Sequence, residues 1–502
     1  MSFSKTILSA GRRAALVSLF LIGALGAIGT SVAQSRLVIG QTFMAGSIDP
    51  AEGSAAWALA THGVAEKLFT VARDGRVIGQ LAQDIKRVDE LTWDITLQPG
   101  RRFSDGQVVT AAEVAAALAR TNEKNAAARA SVGRMTLQAQ DELRLRIRSE
   151  RPTPVMATVL AEWPFAVYRM ADRPVFTGPY AISAFRAGDG IDLVPSSHYT
   201  GAAKRQPMTI KRFPDGASMA VALEGREIDM AFNLPVEAVP RIRSRDGLSV
   251  QTFLVGYQYM MWYNTRKPAL ADRRVRKALD LALDRREIAQ AVRGGEPAAG
   301  AFPSTSPFVL REAARHDANA ASKLLDEAGW KRGTDGRRMK DGQPLRLVLV
   351  AYPQRPDLVT MQPVIRARLA ALGLDIQTRV VDQVSTVTSS GDFDLLLWAQ
   401  HTLPAGDPAF FLNAFFRTGA GNNSSGIASP EVDKLLDQLG RAESQAQRVT
   451  SAEAIQRAIA EEMPVSYLLT PAWNVGLSSR LAGYEAWGSD YNIIRADFAA
   501  KP

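Results

Sequence analysis

The sequence predicts an α/β protein, and three observations carry that expectation. Strand-like and helix-like periods alternate along the chain instead of segregating, as layered α/β folds require. Leu345 to Ala351, Asp357 to Leu372 and Asp375 to Val381 read as strand, helix and strand, with Gly373 stopping the helix, so a parallel pair with a right-handed crossover is expected. Trp93 to Leu118 packs a strand, two turns and a capped helix into one stretch. There Trp93, Ile95 and Leu97 alternate with Asp94, Thr96 and Gln98, the period of a strand buried on one face. Pro99-Gly100 and Ser104-Asp105-Gly106 supply the turns, and Thr110 with Glu113 has capping-box spacing ahead of the apolar face Val114, Ala117 and Leu118.

The remaining elements follow from the same periods. Leu37 to Phe43 reads as a strand that turns at Ile48-Asp49-Pro50 into an Ala-rich helix ending near Leu68. Leu143 to Ile147 alternates strictly, Ala181 to Phe185 and Met208 to Phe213 are further strands, and Gly225 to Ala231 closes a helix and opens a strand. A second module starts at Tyr257, with a strand from Tyr259 to Thr265 and helices capped by Asp272 and Asp284. Ala318 to Ala328 is a helix stopped by Gly329. Phe393 to Ala399 is a strand, and the loop Gln400 to Pro408 after it suits a ligand-contacting edge, because open α/β sheets bind ligands beyond the carboxyl ends of their strands.

Composition narrows the class. The chain has 502 residues, 46% hydrophobic and 22% charged, which is ordinary globular composition with room for two or three domains. Lys5, Arg12 and Arg13 precede an uncharged run that ends in Ser31-Val32-Ala33, so residues 1–33 are expected to be a cleavable signal peptide. Cysteine is absent, which excludes disulfides, Cys-ligated zinc, thiol catalysis and a lipid-anchored cysteine. Export without an anchor points to the periplasm. The formal charge of +9 falls to +6 without Lys5, Arg12 and Arg13, too small and too dispersed a surplus to suggest nucleic acid.

Catalytic signatures are missing. There is no G-x-S-x-G elbow, phosphate-cradling G-x-x-x-x-G-K-S/T loop or H-E-x-x-H pair, and His62, His198, His316 and His401 are not at metal-ligand spacing. We therefore expect no enzyme, no metal and no cofactor. A periplasmic hydrolase or chaperone-like protein on the same scaffold is the alternative.

The motif order resembles that of family 5 extracellular solute-binding proteins, the receptors of peptide and nickel ABC importers. The resemblance rests on Trp93 to Val114, on Trp262-x-Asn264-Thr265 followed by Val275-Arg276-Lys277-Ala278-Leu279 and Asp284-Arg285, and on Thr177-Gly178-Pro179-Tyr180, Gly225-x-x-Ile228-Asp229, Ala328-Gly329-Trp330 and Asp407-Pro408 with Phe410-Phe411. Gln98 departs from the pattern, where relatives carry a basic residue. The resemblance implies a two-lobed periplasmic binding protein fold of type II with the ligand cleft between the lobes. Lobe I would span 34–259 with a subdomain at about 71–174, lobe II 260–470, and 471–502 would return to lobe I. Chain crossings are placed near Tyr257 to Thr265 and Leu468 to Asn474. Expected partners are a small molecule (a peptide, an opine-like compound or a metal chelate) and the permease subunits of an ABC transporter, with a monomeric receptor.

The resemblance also places candidate ligand contacts at Trp57, Arg129, Trp163, Tyr259, Trp398, His401 and Thr402. Aromatic walls with few charges suit stacking and apolar contact. The Asp that holds a dipeptide's amine in relatives is absent, because Leu403-Pro404-Ala405-Gly406 precedes Asp407. The loop histidine of nickel-binding relatives has no counterpart between Arg417 and Ser425.

Overall fold

The computed structural model describes residues 36–312 and 314–498. The expected signal peptide at 1–33 lies outside the described residues. Among those described, no helix is long and apolar enough to cross a membrane.

Two mixed sheets organise the chain. The first has seven strands in the order Tyr180–Arg186, Gly190–Pro195, Met208–Arg212, Leu37–Gln41, Met230–Phe232, Ala472–Ser478 and Leu248–Leu254. The second has six, in the order Glu296–Pro297, Val465–Thr470, Tyr257–Tyr263, Leu395–His401, Arg346–Ala351 and Asp375–Val380. Its central strand Tyr257–Tyr263 is buried at every position, so it reads as a continuous apolar run instead of an alternation. The expected βαβ unit is present: Arg346–Ala351 and Asp375–Val380 pair in parallel around helix Pro356–Ala371.

The chain crosses between the sheets twice, side by side. Leu248–Leu254 leads through Val255 and Gly256 into Tyr257–Tyr263, and Val465–Thr470 leads through Pro471 into Ala472–Ser478. The amide of Val255 donates to Pro471 O at 3.2 Å, which ties the two crossings together. Gly256 packs against the His401 ring so closely that a Cβ there would lie 2.7 Å from its Cε1.

The Trp93 to Leu118 stretch forms part of a third unit. A four-stranded antiparallel sheet, in the order Ala82–Arg87, Thr92–Leu97, Arg144–Ser149 and Met135–Ala139, packs against helix Ala111–Lys124. Trp93, Ile95, Leu97, Val114, Leu118, Leu145 and Ile147 share one core. Thr110 accepts a hydrogen bond from the amide of Glu113, so the expected helix start is in place.

One element differs from expectation. The first helix runs only over Ala55–Thr61, and a short strand, Glu66–Lys67, stands where the sequence predicted helix. Gly63 takes a left-handed φ of +67°, and the amides of Val64 and Ala65 both donate to Leu59 O, which closes the helix about two turns early.

Candidate functional site

A cavity of about 760 Å³ is lined by strand residues of the six-stranded sheet and by helices and connections from both halves of the chain, among them the segment after the first strand of the seven-stranded sheet. The local sequence explains how each wall is held. Phe43 follows the first strand and Trp57 sits on the first helix, their ring centroids 4.7 Å apart. Trp163 lies on the short turn Trp163–Phe165 and meets Phe410 edge-on at 6.3 Å. Tyr257 and Trp398 come from adjacent strands of the six-stranded sheet, and Tyr352 packs on Trp398 at 5.7 Å. Asn125 fixes the end of helix Ala111–Lys124 by donating to Gly53 O at 3.0 Å and accepting from the amide of Ala127. Helix Val384–Ser390 and the loop Gly421 to Ser424 also line it, and Gln354 Nε2 donates to Asp382 O at 3.1 Å just ahead of that helix.

Arg355 lies at the carboxyl end of the parallel strand Arg346–Ala351, where open α/β sheets bind ligands. Pro356 follows it, which holds Arg355 in extended backbone and starts the next helix. Its guanidinium carbon lies 5.3 Å from the Phe43 ring, 5.2 Å from Tyr257 and 4.8 Å from Trp473. Nη2 donates to Tyr257 Oη at 3.3 Å and to Asp490 Oδ2 at 3.2 Å, and Tyr257 Oη donates to Asp490 Oδ2 at 2.6 Å. Burial works against the Arg355 charge, but Tyr257 and Asp490 outweigh it and its pKa is raised. Burial likewise pushes the Asp490 carboxyl up, against the pull of Arg355.

Four buried polar atoms at this end have no hydrogen-bond partner among the described residues: the donors Arg355 Nη1 and Trp57 Nε1, and the acceptors Gln354 Oε1 and Asp490 Oδ1. Buried donors and acceptors are rarely left unpaired, so each asks for a partner from outside the chain. The charge balance is one-sided. Lys124, Arg266 and Arg355 line the cavity and no carboxylate does. Among the described residues, no group of three or more His, Cys, Asp or Glu is arranged to hold a metal ion.

The structure brings Trp57, Trp163 and Trp398 together on this cavity, and places the other four candidates elsewhere. Tyr259 is fully buried one residue pair below it, donating to Asp357 Oδ2 at 2.8 Å and accepting from Trp473 Nε1 at 2.8 Å. Burial lifts the Asp357 carboxyl to about 7. His401 stands behind two lining rings, edge-on to Tyr257 and Tyr491 at 5.2 Å each, and its Nδ1 accepts from the amide of Leu403. Thr402 is fully buried beside it. Arg129 turns back to donate to the carbonyls of Asn122 and Glu123, finishing helix Ala111–Lys124, and lines a separate crevice with Arg151 and Arg417. Arg355, Tyr257, Tyr491 and helix Val384–Ser390 were not among the sequence candidates. For Arg355 a signal existed: a charged residue before proline at the end of a parallel strand.

Burial also sets the protonation of two histidines. His401, and His62 beneath Phe43, are both lowered to about 3. With the unfolded value at 6.5, the unfolded chain takes up the proton first. Each ring therefore contributes stability that is intact above pH 6.5 and is lost as pH falls toward 3, by about 1.4 kcal/mol per pH unit. NMR spectra of the imidazole rings should show both neutral from pH 8 down to 5. A ring that titrates near 6.5 would contradict its burial.

Two lobes joined by paired crossings around a lined cavity define a periplasmic-type binding protein fold. Residues 76–423 match the family description "Bacterial extracellular solute-binding proteins, family 5 Middle". The chain belongs to this family and is the substrate-binding component of an importer. It is 24% identical over 431 residues to the nickel-binding protein NikA of Staphylococcus aureus, covering 84% of this chain and 86% of that protein. The crystal structure of that species' NikA in complex with Ni(L-His)2 superposes with a TM-score of 0.86 at 22% identity, covering 93% of this chain and 100% of the other. The oligopeptide-binding protein AppA of Bacillus subtilis, solved in complex with a nonapeptide, gives a TM-score of 0.82 at 19% identity over 93% of this chain and 99% of that one. These relatives are binding proteins, which agrees with the family that the motif order suggested.

Proposed function

We propose that this chain is an exported, periplasmic receptor of an ABC importer that captures a small organic ligand bearing a carboxylate. The observation that carries this reading is the cavity lining, in which Lys124, Arg266 and Arg355 stand among a shell of aromatic rings and the nearest carboxyl, Asp490, is buried behind Arg355 and bonded to its Nη2 alone, leaving Nη1 unpaired. A carboxylate would pair with Arg355 Nη1 and accept from Trp57 Nε1, both of which adjoin Phe43. Trp57, Trp163 and Trp398 would stack on the body of the ligand. The organic part of a nickel chelate, or the C-terminus of a short peptide, has this chemistry, in keeping with the names of the relatives.

In this reading residues 1–33 are removed on export, lobe I spans 34–259, lobe II 260–470, and 471–502 returns to lobe I. The receptor is monomeric and non-catalytic, and its closed form docks on the permease. Titration of the mature chain with Ni(L-His)2 and with tripeptides tests it, read by tryptophan fluorescence and thermal stability. At a ligand concentration of 100 Kd the folded state should gain about 2.7 kcal/mol. A carboxylate ligand should bind and its C-terminal amide should not. Equal binding of acid and amide would remove the anchor from the account.

A further inference from the structure

A second crevice, of about 210 Å³, adjoins the cavity where Ala126, Ala127, Gly421 and Asn422 line both. Arg129, Arg151 and Arg417 line it, and no carboxylate does. Arg129 closes the turn Ala126–Arg129 and Arg151 follows strand Arg144–Ser149, so both belong to the Trp93 to Leu118 unit. Arg417 comes from the other side, at the end of helix Ala409–Phe416. Each arginine commits only part of its guanidinium to the chain. Arg129 Nη1 donates to Asn122 O and Glu123 O, Arg151 Nη1 to Ala130 O at 3.1 Å, and Arg417 Nε and Nη2 to Asn413 Oδ1 and Asp437 Oδ1 at 2.9 Å each. Nε and Nη2 of Arg129 and of Arg151, and Nη1 of Arg417, have no hydrogen bond among the described residues.

Water can solvate those donors, but it does not offset three like charges drawn together. Burial and the neighbouring Arg417 both press the Arg151 pKa down, and Glu150 and Asp437 nearby do not restore it. Neither Arg129 nor Arg151 has an ion pair among the described residues, and Asp437, the partner of Arg417, stands outside the crevice. An anion held between the two sides removes that repulsion. Its class follows from the charges and donors it must meet. A carboxylate brings one negative charge and two oxygens in one plane, whereas a phosphate group brings a charge of about −2 and at least three acceptor oxygens pointing in different directions. The crevice is also smaller than the roughly 300 Å³ at which pockets for organic ligands begin.

We infer that Arg129, Arg151 and Arg417 form a binding site for a phosphate group, which bridges the Trp93 to Leu118 unit and helix Ala409–Phe416. The site is separate from Arg355 and does not depend on the carboxylate reading above. Its occupant is inorganic phosphate, acting as a co-ligand beside the cavity, or the phosphate of a monoester whose organic part reaches the cavity past Gly421 and Asn422.

Calorimetric titration of the mature chain with inorganic phosphate, phenyl phosphate and acetate, at fixed ionic strength in chloride, tests the site. Inorganic phosphate should bind one to one and roughly ten-fold more tightly than acetate. Arg151→Gln should weaken phosphate roughly ten-fold, since it removes charge-assisted donors. Its melting temperature in phosphate-free buffer should equal or exceed that of wild type, because a like charge is lost. Arg417→Gln should weaken phosphate in the same way, so the test survives if one variant fails to fold. Phenyl phosphate that binds roughly ten-fold more tightly than inorganic phosphate places the group on the cavity ligand, and phenyl phosphate that binds no more tightly makes it a free co-ligand. Acetate that matches phosphate, no binding of phosphate over chloride, or a phosphate affinity that both variants leave unchanged would overturn the inference. The carboxylate titrations are run in phosphate-free buffer, so either reading can fail alone.

Discussion

Replacing Arg355 with Met is expected to weaken ligand binding roughly 100-fold and to destabilise the folded chain by about 3–5 kcal/mol. Both effects have one origin. The guanidinium lies between the rings of Phe43, Tyr257 and Trp473 and holds Asp490, whose side chain is 0% exposed. Removing it leaves a buried carboxyl facing Tyr257 alone. The carboxyl then stays protonated or the C-terminal segment opens to water, and either outcome costs stability. Urea unfolding of Arg355→Met beside the double variant Arg355→Met, Asp490→Asn checks the origin, since removing the orphaned charge should recover part of the loss. A single variant within 1 kcal/mol of wild type would show that the pair does not hold this end of the cavity.

Arg448→Met should cost a similar amount, about 3–5 kcal/mol, with a different local signature. Arg448 binds Asp407 with two bonds of 2.6 Å, and its Nη1 also donates to Leu439 O and Ala442 O at the end of helix Pro430–Arg441. Asp407 closes the loop that follows strand Leu395–His401. That loop inserts Ala405 into the core of the Trp93 to Leu118 unit, so Arg448 anchors a strap between distant parts of the chain. Amide exchange in residues 402–408 should accelerate in the variant to the rate of a locally opened segment, while the six-stranded sheet stays protected. Unchanged exchange in the loop would contradict the strap.

Local periodicity explains how much of this architecture was legible beforehand. The alternation from Trp93 to Leu97, the strand and helix periods of the βαβ unit around helix Pro356–Ala371, and the capping aspartates Asp272 and Asp284 each show as a sequence pattern a few residues long, and all are present. The overlong first helix had the right composition, but Gly63 and the Leu59 carbonyl ended it, a choice that alanine content does not reveal. The cavity was legible in part. Trp57, Trp163 and Trp398 were placed by motif order and do line it. Arg355 was missed because its environment is assembled from Phe43, Tyr257, Trp473 and Asp490, which no spacing rule connects. Helix Val384–Ser390 was missed because Ser and Thr runs read as loop. Tyr259 and His401 lie one layer behind the cavity, where strand position alone does not separate a lining ring from its support.

The proposed ligand is an anionic small molecule held in the interlobe cavity by Arg355. Native mass spectrometry of the mature chain purified from its own host tests this most directly. A one-to-one complex is expected with a carboxylate-bearing molecule that is detected in negative mode after release, and that is lost from Arg355→Met. A bound species that is cationic, or that Arg355→Met retains in the same amount, would contradict it.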